Sequence, residues 1–385
     1  MAAAKTGEKG LILEEVLKAY FSRTHHFVVR SVPVKIDGED LTDIDLWLYE
    51  RPGGSTRRRI IVDIKSRKSP KAAERVVWTK GLQSAVGVDT AIVATTARGV
   101  GIKRLAKNLD IALLDGDAVA KLSKSEELRN GQTITLETLD AAVRAVDKSR
   151  RSAEWRTALF EGKASLVTGF GILSANKNLS INAYFAEEAV LAQPNTAVAE
   201  TAMRLLYLTA SLVAVSLDFA IADHAFRSPD ERRKVIVDGL RFGQSATLNP
   251  IATVEAAIGL ARQYADNGNA VAKQIESGFI SDADRIPAEI IADYVAKVSA
   301  RDTLFEVARE LDAASFASTL PPYDHLSAVT KSFLGVVWDF NGIARDKIAA
   351  VWSGKAKPKE PQKEKSMAAS GAGPLFKEPS KPDPI

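Results

Sequence analysis

"TDIDLWLYE" (residues 42–50) and "RRRIIVDIKSRKS" (57–69) are the two stretches on which the reading of this chain turns. Both have the aromatic and β-branched content of strands, and the Gly-rich "RPGGSTR" between them suits a hairpin. Yet Asp45, Asp63 and Lys65 stand where a half-buried strand favours apolar residues. Alternate positions of a strand share a face, so Asp63 and Lys65 point one way and Ile64 the other, into packed protein. Pairing the two strands lets Asp45 project to the same face. Two carboxylates and an ammonium brought together need something to offset the like charges. A hard divalent cation does so, because Mg²⁺ takes oxygen ligands and keeps waters and substrate phosphates in its shell. A lysine beside it could orient the attacking water, which is the chemistry of phosphodiester hydrolysis.

Working outward, "LILEEVLKAYF" (11–21) has helical spacing, with Leu13, Val16, Leu17, Tyr20 and Phe21 on one face. "FVVRSVPVKI" (27–36) reads as a strand. A helix is predicted from about Pro70 to Val86, then a buried strand "TAIVATT" (90–96), the helix "GVGIKRLAKNL", the strand "IALLDG" (111–116) and the short helix "DAVAKLS". The order α-β-β-β-α-β-α-β implies a mixed sheet flanked by helices. From Leu136 onward nearly every segment has helical spacing, and the last thirty or so residues are rich in Lys, Pro and Glu, a composition of disorder. The expected organisation is an α/β domain over 1–124, an all-helical domain over 125–354 and a disordered tail over 355–385. The sheet core looks complete by "IALLDGDAVAKL", so residues 1–130 are expected to fold without the rest.

Composition narrows the chemistry. The 385 residues include no cysteine, which excludes disulfides, thiolate metal sites and a cysteine nucleophile. "MAAAKTGEKG" lacks the apolar stretch of a signal peptide, and the uncharged run from Leu205 to Leu217 is too short to span a bilayer. A cytoplasmic protein is expected. The net charge of +4 is unevenly spread: residues 1–124 hold 22 basic and 15 acidic side chains, the remainder a slight acidic excess. That local positive balance suits a polyanionic partner. "EGKAS" (161–165) lacks the leading glycine of a P-loop, and "RGVGIKR" is too incomplete for a dinucleotide fingerprint.

With Asp45 and "Asp63-Ile64-Lys65" in this strand context, the first third of the chain resembles the PD-(D/E)xK nuclease superfamily, and most closely Mrr-like restriction endonucleases. "LEEVLKAYF" looks like that family's opening helix with its acidic residue. "AIVATTARGVGIKRLAKNLDIALLDGDAVAKL" looks like its distal half, with a TT-containing strand, a helix and a strand ending in a form of "LIDG". The resemblance covers residues 10–122. The "GxGxD" glycines of the family are missing from "EDLTDID", and Asp63 is shorter than the Glu or Gln often found before the lysine.

The resemblance implies a restriction-endonuclease-like α/β fold and a Mg²⁺-dependent DNA endonuclease, with Mn²⁺ able to substitute, in restriction or defence against foreign DNA. Asp45 and Asp63 would hold the metal with the Ile64 carbonyl, and Lys65 would position water. Asp43 shares Asp45's face but sits at the strand's frayed start. On the first helix Glu14 flanks the apolar face while Glu15 lies almost opposite it, so Glu14 is the candidate to reach the site. Gln83, on the helix after the DxK strand, is carried over as a supporting residue. Lys80 and the flanking Arg57, Arg58, Arg59, Arg67 and Lys68 would contact the phosphates of double-stranded DNA. Removing either aspartate is expected, if anything, to raise metal-free stability by relieving repulsion. Homodimerisation or partner proteins of a defence system fit the helical part. Two rival readings stay open: a resolvase, repair nuclease or RNase on the same core, and a nuclease-like binding or assembly module whose helical domain is the sensor or scaffold.

Overall fold

The computed structural model describes residues 2–36, 39–65, 71–125, 128, 133–243, 245, 249–298 and 301–353. The N-terminal part contains α1 (Ala2–Arg23), β1 (Phe27–Ile36), β2 (Glu39–Glu50), β3 (Arg58–Lys65), α2 (Ala72–Val86), β4 (Thr90–Thr95), α3 (Val100–Asn108), β5 (Ala112–Leu114) and α4 (Gly116–Ser123). The strands form one mixed sheet in sequence order, β1 to β3 antiparallel and β3 to β5 parallel. The switch to parallel pairing follows from α2 and α3, which carry the chain back along the sheet between strands. From Leu136 on the described chain is helical: α5 (Leu136–Arg150), α6 (Glu154–Thr168), α7 (Ile172–Leu191), α8 (Ala197–Ala220), α9 (Pro229–Phe242), α10 (Pro250–Tyr264), α11 (Gly268–Asp284), α12 (Ala288–Val298), α13 (Thr303–Phe316), α14 (Ala328–Phe340) and α15 (Arg345–Ser353). The expected tail over 355–385 lies outside the described residues.

Strand alternation sends two sets of apolar residues to two cores. Val28, Leu46, Leu48, Ile60, Val62 and Ile64 pack under Leu13, Leu17 and Phe21 of α1 and Val119 of α4. Phe27, Val29, Trp47, Tyr49, Ile61 and Val93 face the other way. There α2 covers part of the surface with Ala72, Val76 and Leu82, but the rest is closed by the helical region. Trp47 and Tyr49, both fully buried, meet Phe170 with ring centroids 4.9 and 5.6 Å away, and Tyr49 also contacts Phe219 and Phe305. The sheet and the helices therefore share one core.

A buried charge cluster joins the same two parts. Asp218, near the end of α8 and inaccessible to solvent, accepts hydrogen bonds from the Tyr49 hydroxyl (2.6 Å), Arg57 Nε (2.5 Å) and Nη2 (3.1 Å), and Arg51 Nη1 (3.0 Å). The chain changes structural class near residue 125, but its core does not divide there. That shared core argues against residues 1–130 standing alone. Expressed by itself, this fragment would expose Trp47, Tyr49 and two unpaired arginines. It should bind an apolar dye and lack a cooperative melt; a sharp two-state transition would contradict the shared core.

The centre of the helical part is α8, packed on α7 and α13. It is longer than its uncharged run suggests, at 24 residues with an 18-residue apolar window of mean hydropathy 1.4, enough to cross a membrane by length and composition. Ninety-four per cent of that apolar window is buried inside the protein, so its surface is occupied by neighbouring helices.

Candidate functional site

The β2–β3 ladder ends at the pair Leu46–Val62, and continuing that register places Asp45 opposite Asp63. Alternation puts Asp45 on the face of Trp47 and Tyr49, and Asp63 and Lys65 on the face of Ile61, which is the same side of the sheet. Ile64 is buried on the other side, among the residues under α1. Where the ladder stops, the Asp45 carboxylate takes over its role: Oδ2 accepts a hydrogen bond from the Ile64 amide at 2.6 Å. Burial raises the Asp45 carboxyl above its ordinary value, outweighing that bond and the charges of Lys65 and Arg75. Asp43 is exposed at the start of the strand, and its charge adds to the same shift.

Asp63 is buried and holds a partner that strand periodicity did not reveal. Arg75, in the first turn of α2, grips it with both arms of its guanidinium: Nε donates to Oδ2 at 2.9 Å and Nη2 to Oδ1. The expectation that Asp63→Ala would stabilise the metal-free protein is therefore corrected, since the change would strand Arg75 rather than only relieve repulsion. Asp45 keeps the original sign. With its folded pKa raised, the ionised carboxyl disfavours the fold once the pH exceeds that value, while below the ordinary carboxylate range both states are neutral. Asp45→Asn, whose amide oxygen can still accept from Ile64, should melt higher than the parent at pH 7 without metal. The difference should vanish as the pH falls below the carboxylate range. An unchanged gap across that range would show that the carboxyl does not titrate as its burial requires.

Glu14 lies on the opposite side of the sheet, on α1, and its carboxylate receives Arg30 Nη2 at 2.5 Å. Burial raises its pKa against the pull of Arg30, with the Asp45 charge adding to the rise. Glu15 also binds Arg30, and its Oε1 accepts from the Leu136 amide at 3.2 Å, while Glu137 completes the group at 2.9 Å. Glu15 thus ties α1 to α5 and is not the free surface acid its helical position suggested.

Gln83 is not beside the carboxylates. Its side chain bonds the Asp89 carbonyl at 3.2 Å and Lys80 Nζ at 3.1 Å. Asp89 in turn is hydrogen-bonded to Arg59, four residues before Asp63, or about 13 Å along the strand. Because α2 runs antiparallel to β3, its first turn reaches Asp63 and its last turn cannot. Lys80 goes with Gln83. The expected basic rim is also distant, because Arg57, Arg58 and Arg59 stand at the start of β3 and Asp63 near its end. Arg57 is sealed on Asp218, Arg59 is bound to the Gly87 carbonyl at 2.7 Å, and Arg58 is exposed beside Glu50, all at the far end of β3. Arg67 and Lys68 lie outside the described residues.

Asp45, Asp63 and Lys65 are the members of the sequence-derived set that come together, and Lys65 forms no ion pair among the described residues. No group of three or more His, Asp or Glu side chains converges as a ready-made metal cage among them. Two adjacent hard carboxylates, Asp63 paired with Arg75 and Asp45 raised by burial, nevertheless fit a cation that retains several waters, as Mg²⁺ does. Comparison with models of known protein families, with curated proteins and with solved structures returned no match.

Proposed function

We propose that the chain is a metal-dependent DNA endonuclease built on a restriction-endonuclease-like N-terminal fold and acting in the cytoplasm in restriction or defence. The observation that carries this reading is the meeting of Asp45 and Asp63 from adjacent strands at the end of their ladder, with Lys65 on the same face. Asp45 and Asp63 would hold Mg²⁺ or Mn²⁺, the Ile64 carbonyl adding a third oxygen. The bound ion would supply Lewis-acid charge at the phosphate and lower the pKa of a water. Lys65, free of an ion pair among the described residues, would hold its ammonium where it can orient that water and offset the charge that develops on the phosphoryl oxygens. Asp45 receives the Ile64 amide, which sets its carboxylate at the mouth of the diverging strands.

One observation favours a second reading. Arg57 and Arg59, two of the arginines expected to grip DNA, are engaged in internal contacts, and Asp63 is already neutralised by Arg75, which would suit a nuclease-like assembly module with an ordinary buried ion pair. Incubation of the full chain with Mg²⁺ and, side by side, linear duplex, branched DNA and RNA separates the readings. Cleavage of duplex supports the endonuclease; exclusive cleavage of branched DNA or RNA moves the activity to a resolvase or ribonuclease. No cleavage of any of them, with either metal, leaves the assembly module.

A further inference from the structure

Asp63 is a candidate metal ligand whose two oxygens are both taken by one side chain of the same chain. A carboxylate this buried cannot be left uncompensated without a large penalty, so something positive must face it at all times. In this structure that charge is the Arg75 guanidinium, which also bears on Asp45. The guanidinium is a fork matched to one carboxylate, and it keeps its proton in all ordinary conditions. Asp63 keeps lone pairs beyond those that Arg75 uses, but an ion on them would lie beside the guanidinium charge, and like charges that close repel strongly. The two cations are alternatives.

Arg75 has a place to go. It projects from the first turn of α2 with 27% of its side chain exposed, and its guanidinium lies 5.9 Å from the ring of Trp78, which is itself exposed on the same helix. A change of side-chain rotamer would move the charge from Asp63 to the open surface of α2 with no movement of the backbone. By contrast Arg57 and Arg30, two other arginines that hold carboxylates at the sheet, are sealed at 2% and 1% side-chain exposure. Only the arginine on the candidate ligand, of these three, is seated at the surface.

We propose that Arg75 is a built-in counter-cation that occupies Asp63 in the metal-free protein and must be displaced for the metal to bind, so that it sets the metal affinity of the site. This rests on the nuclease reading and gives that site a regulator. The pairing keeps the buried acid neutralised between turnovers and makes the metal compete with an intramolecular ligand, whose removal strengthens binding by the inverse of the fraction of time it left the site free.

The test is titration calorimetry of the full chain with Mn²⁺ alone, comparing the parent, Arg75→Ala, Arg75→Lys and Asp63→Asn, each checked for folding by its melt. Arg75→Ala should bind Mn²⁺ at least about fivefold more tightly than the parent. Arg75→Lys, whose single ammonium cannot fork, should fall between them, and it serves if the alanine variant does not fold. Asp63→Asn should lose binding. Equal or weaker Mn²⁺ binding by the Arg75 variants would overturn the displacement while leaving the nuclease reading intact, since the parent would still bind through Asp63. No Mn²⁺ binding by the parent or any Arg75 variant would overturn both, and the pair would be a permanent structural one.

Discussion

Asp218→Ala should destabilise the chain by about 3–5 kcal/mol, the cost of removing one partner from a buried charge cluster and leaving the others uncompensated. Arg51 and Arg57 are 3% and 2% exposed at their side chains, and Asp218 is fully buried. The Tyr49 hydroxyl would lose its acceptor as well. Burial, reinforced by the Asp218 charge, already holds Tyr49 well above the ordinary phenol value, so it stays a donor at any working pH. Tyr49→Phe removes only one hydrogen bond and should cost about 1 kcal/mol. Urea unfolding followed by the intrinsic fluorescence of the five tryptophans distinguishes these. A loss within about 0.5 kcal/mol for Asp218→Ala, the level of an ordinary surface change, would mean that the cluster does not join the sheet to the helices.

The second large effect is on catalysis, and its value lies in a split. Asp63→Asn should abolish metal-dependent cleavage together with metal binding. The amide can keep one bond to Arg75, so the fold should survive. Lys65→Ala should lower cleavage on the order of 10²–10³-fold, the usual loss for a group that offsets developing charge, yet bind the metal as before. In the proposed mechanism its ammonium serves the water and the phosphate rather than the ion. Exposed Asp43 supplies the control: Asp43→Ala should stay active. Glu15 is no longer suitable as a control, because it holds Arg30 and the start of α5. Lys65→Ala losing metal binding as well, or neither variant losing cleavage, would remove Lys65 or the whole set from the chemistry.

What could be read in the sequence followed from local periodicity. Alternation along 42–50 and 57–65 was enough to put Asp45, Asp63 and Lys65 on one face and Ile64 on the other, and the β-rich then helical order was visible in the spacing of apolar residues. The partners of those residues were not visible, because they lie far away in the chain or depend on helix direction. Arg57 sits in an "RRR" run that has the look of a solvated patch, and its true partner is 161 positions away on a helix chosen only by tertiary packing. Trp47 and Tyr49 could be called buried, but no spacing says that helices from beyond residue 150 bury them. Gln83 and Arg75 show the finer limit. Both are on the helix that follows the strand, and only its antiparallel course decides that the first turn, 12 residues from Asp63, reaches the carboxylate. An arginine one turn into that helix was the signal available.

Asp45 and Asp63 are proposed to form a metal-binding centre that cleaves DNA. The direct measurement is nicking of supercoiled plasmid by the full chain in Mg²⁺, against the same reaction in excess EDTA and against Asp63→Asn in Mg²⁺. The account predicts nicked and linear product from the parent in Mg²⁺ and from neither of the others. Plasmid left intact by the parent in both Mg²⁺ and Mn²⁺, or cut equally by Asp63→Asn, would contradict it.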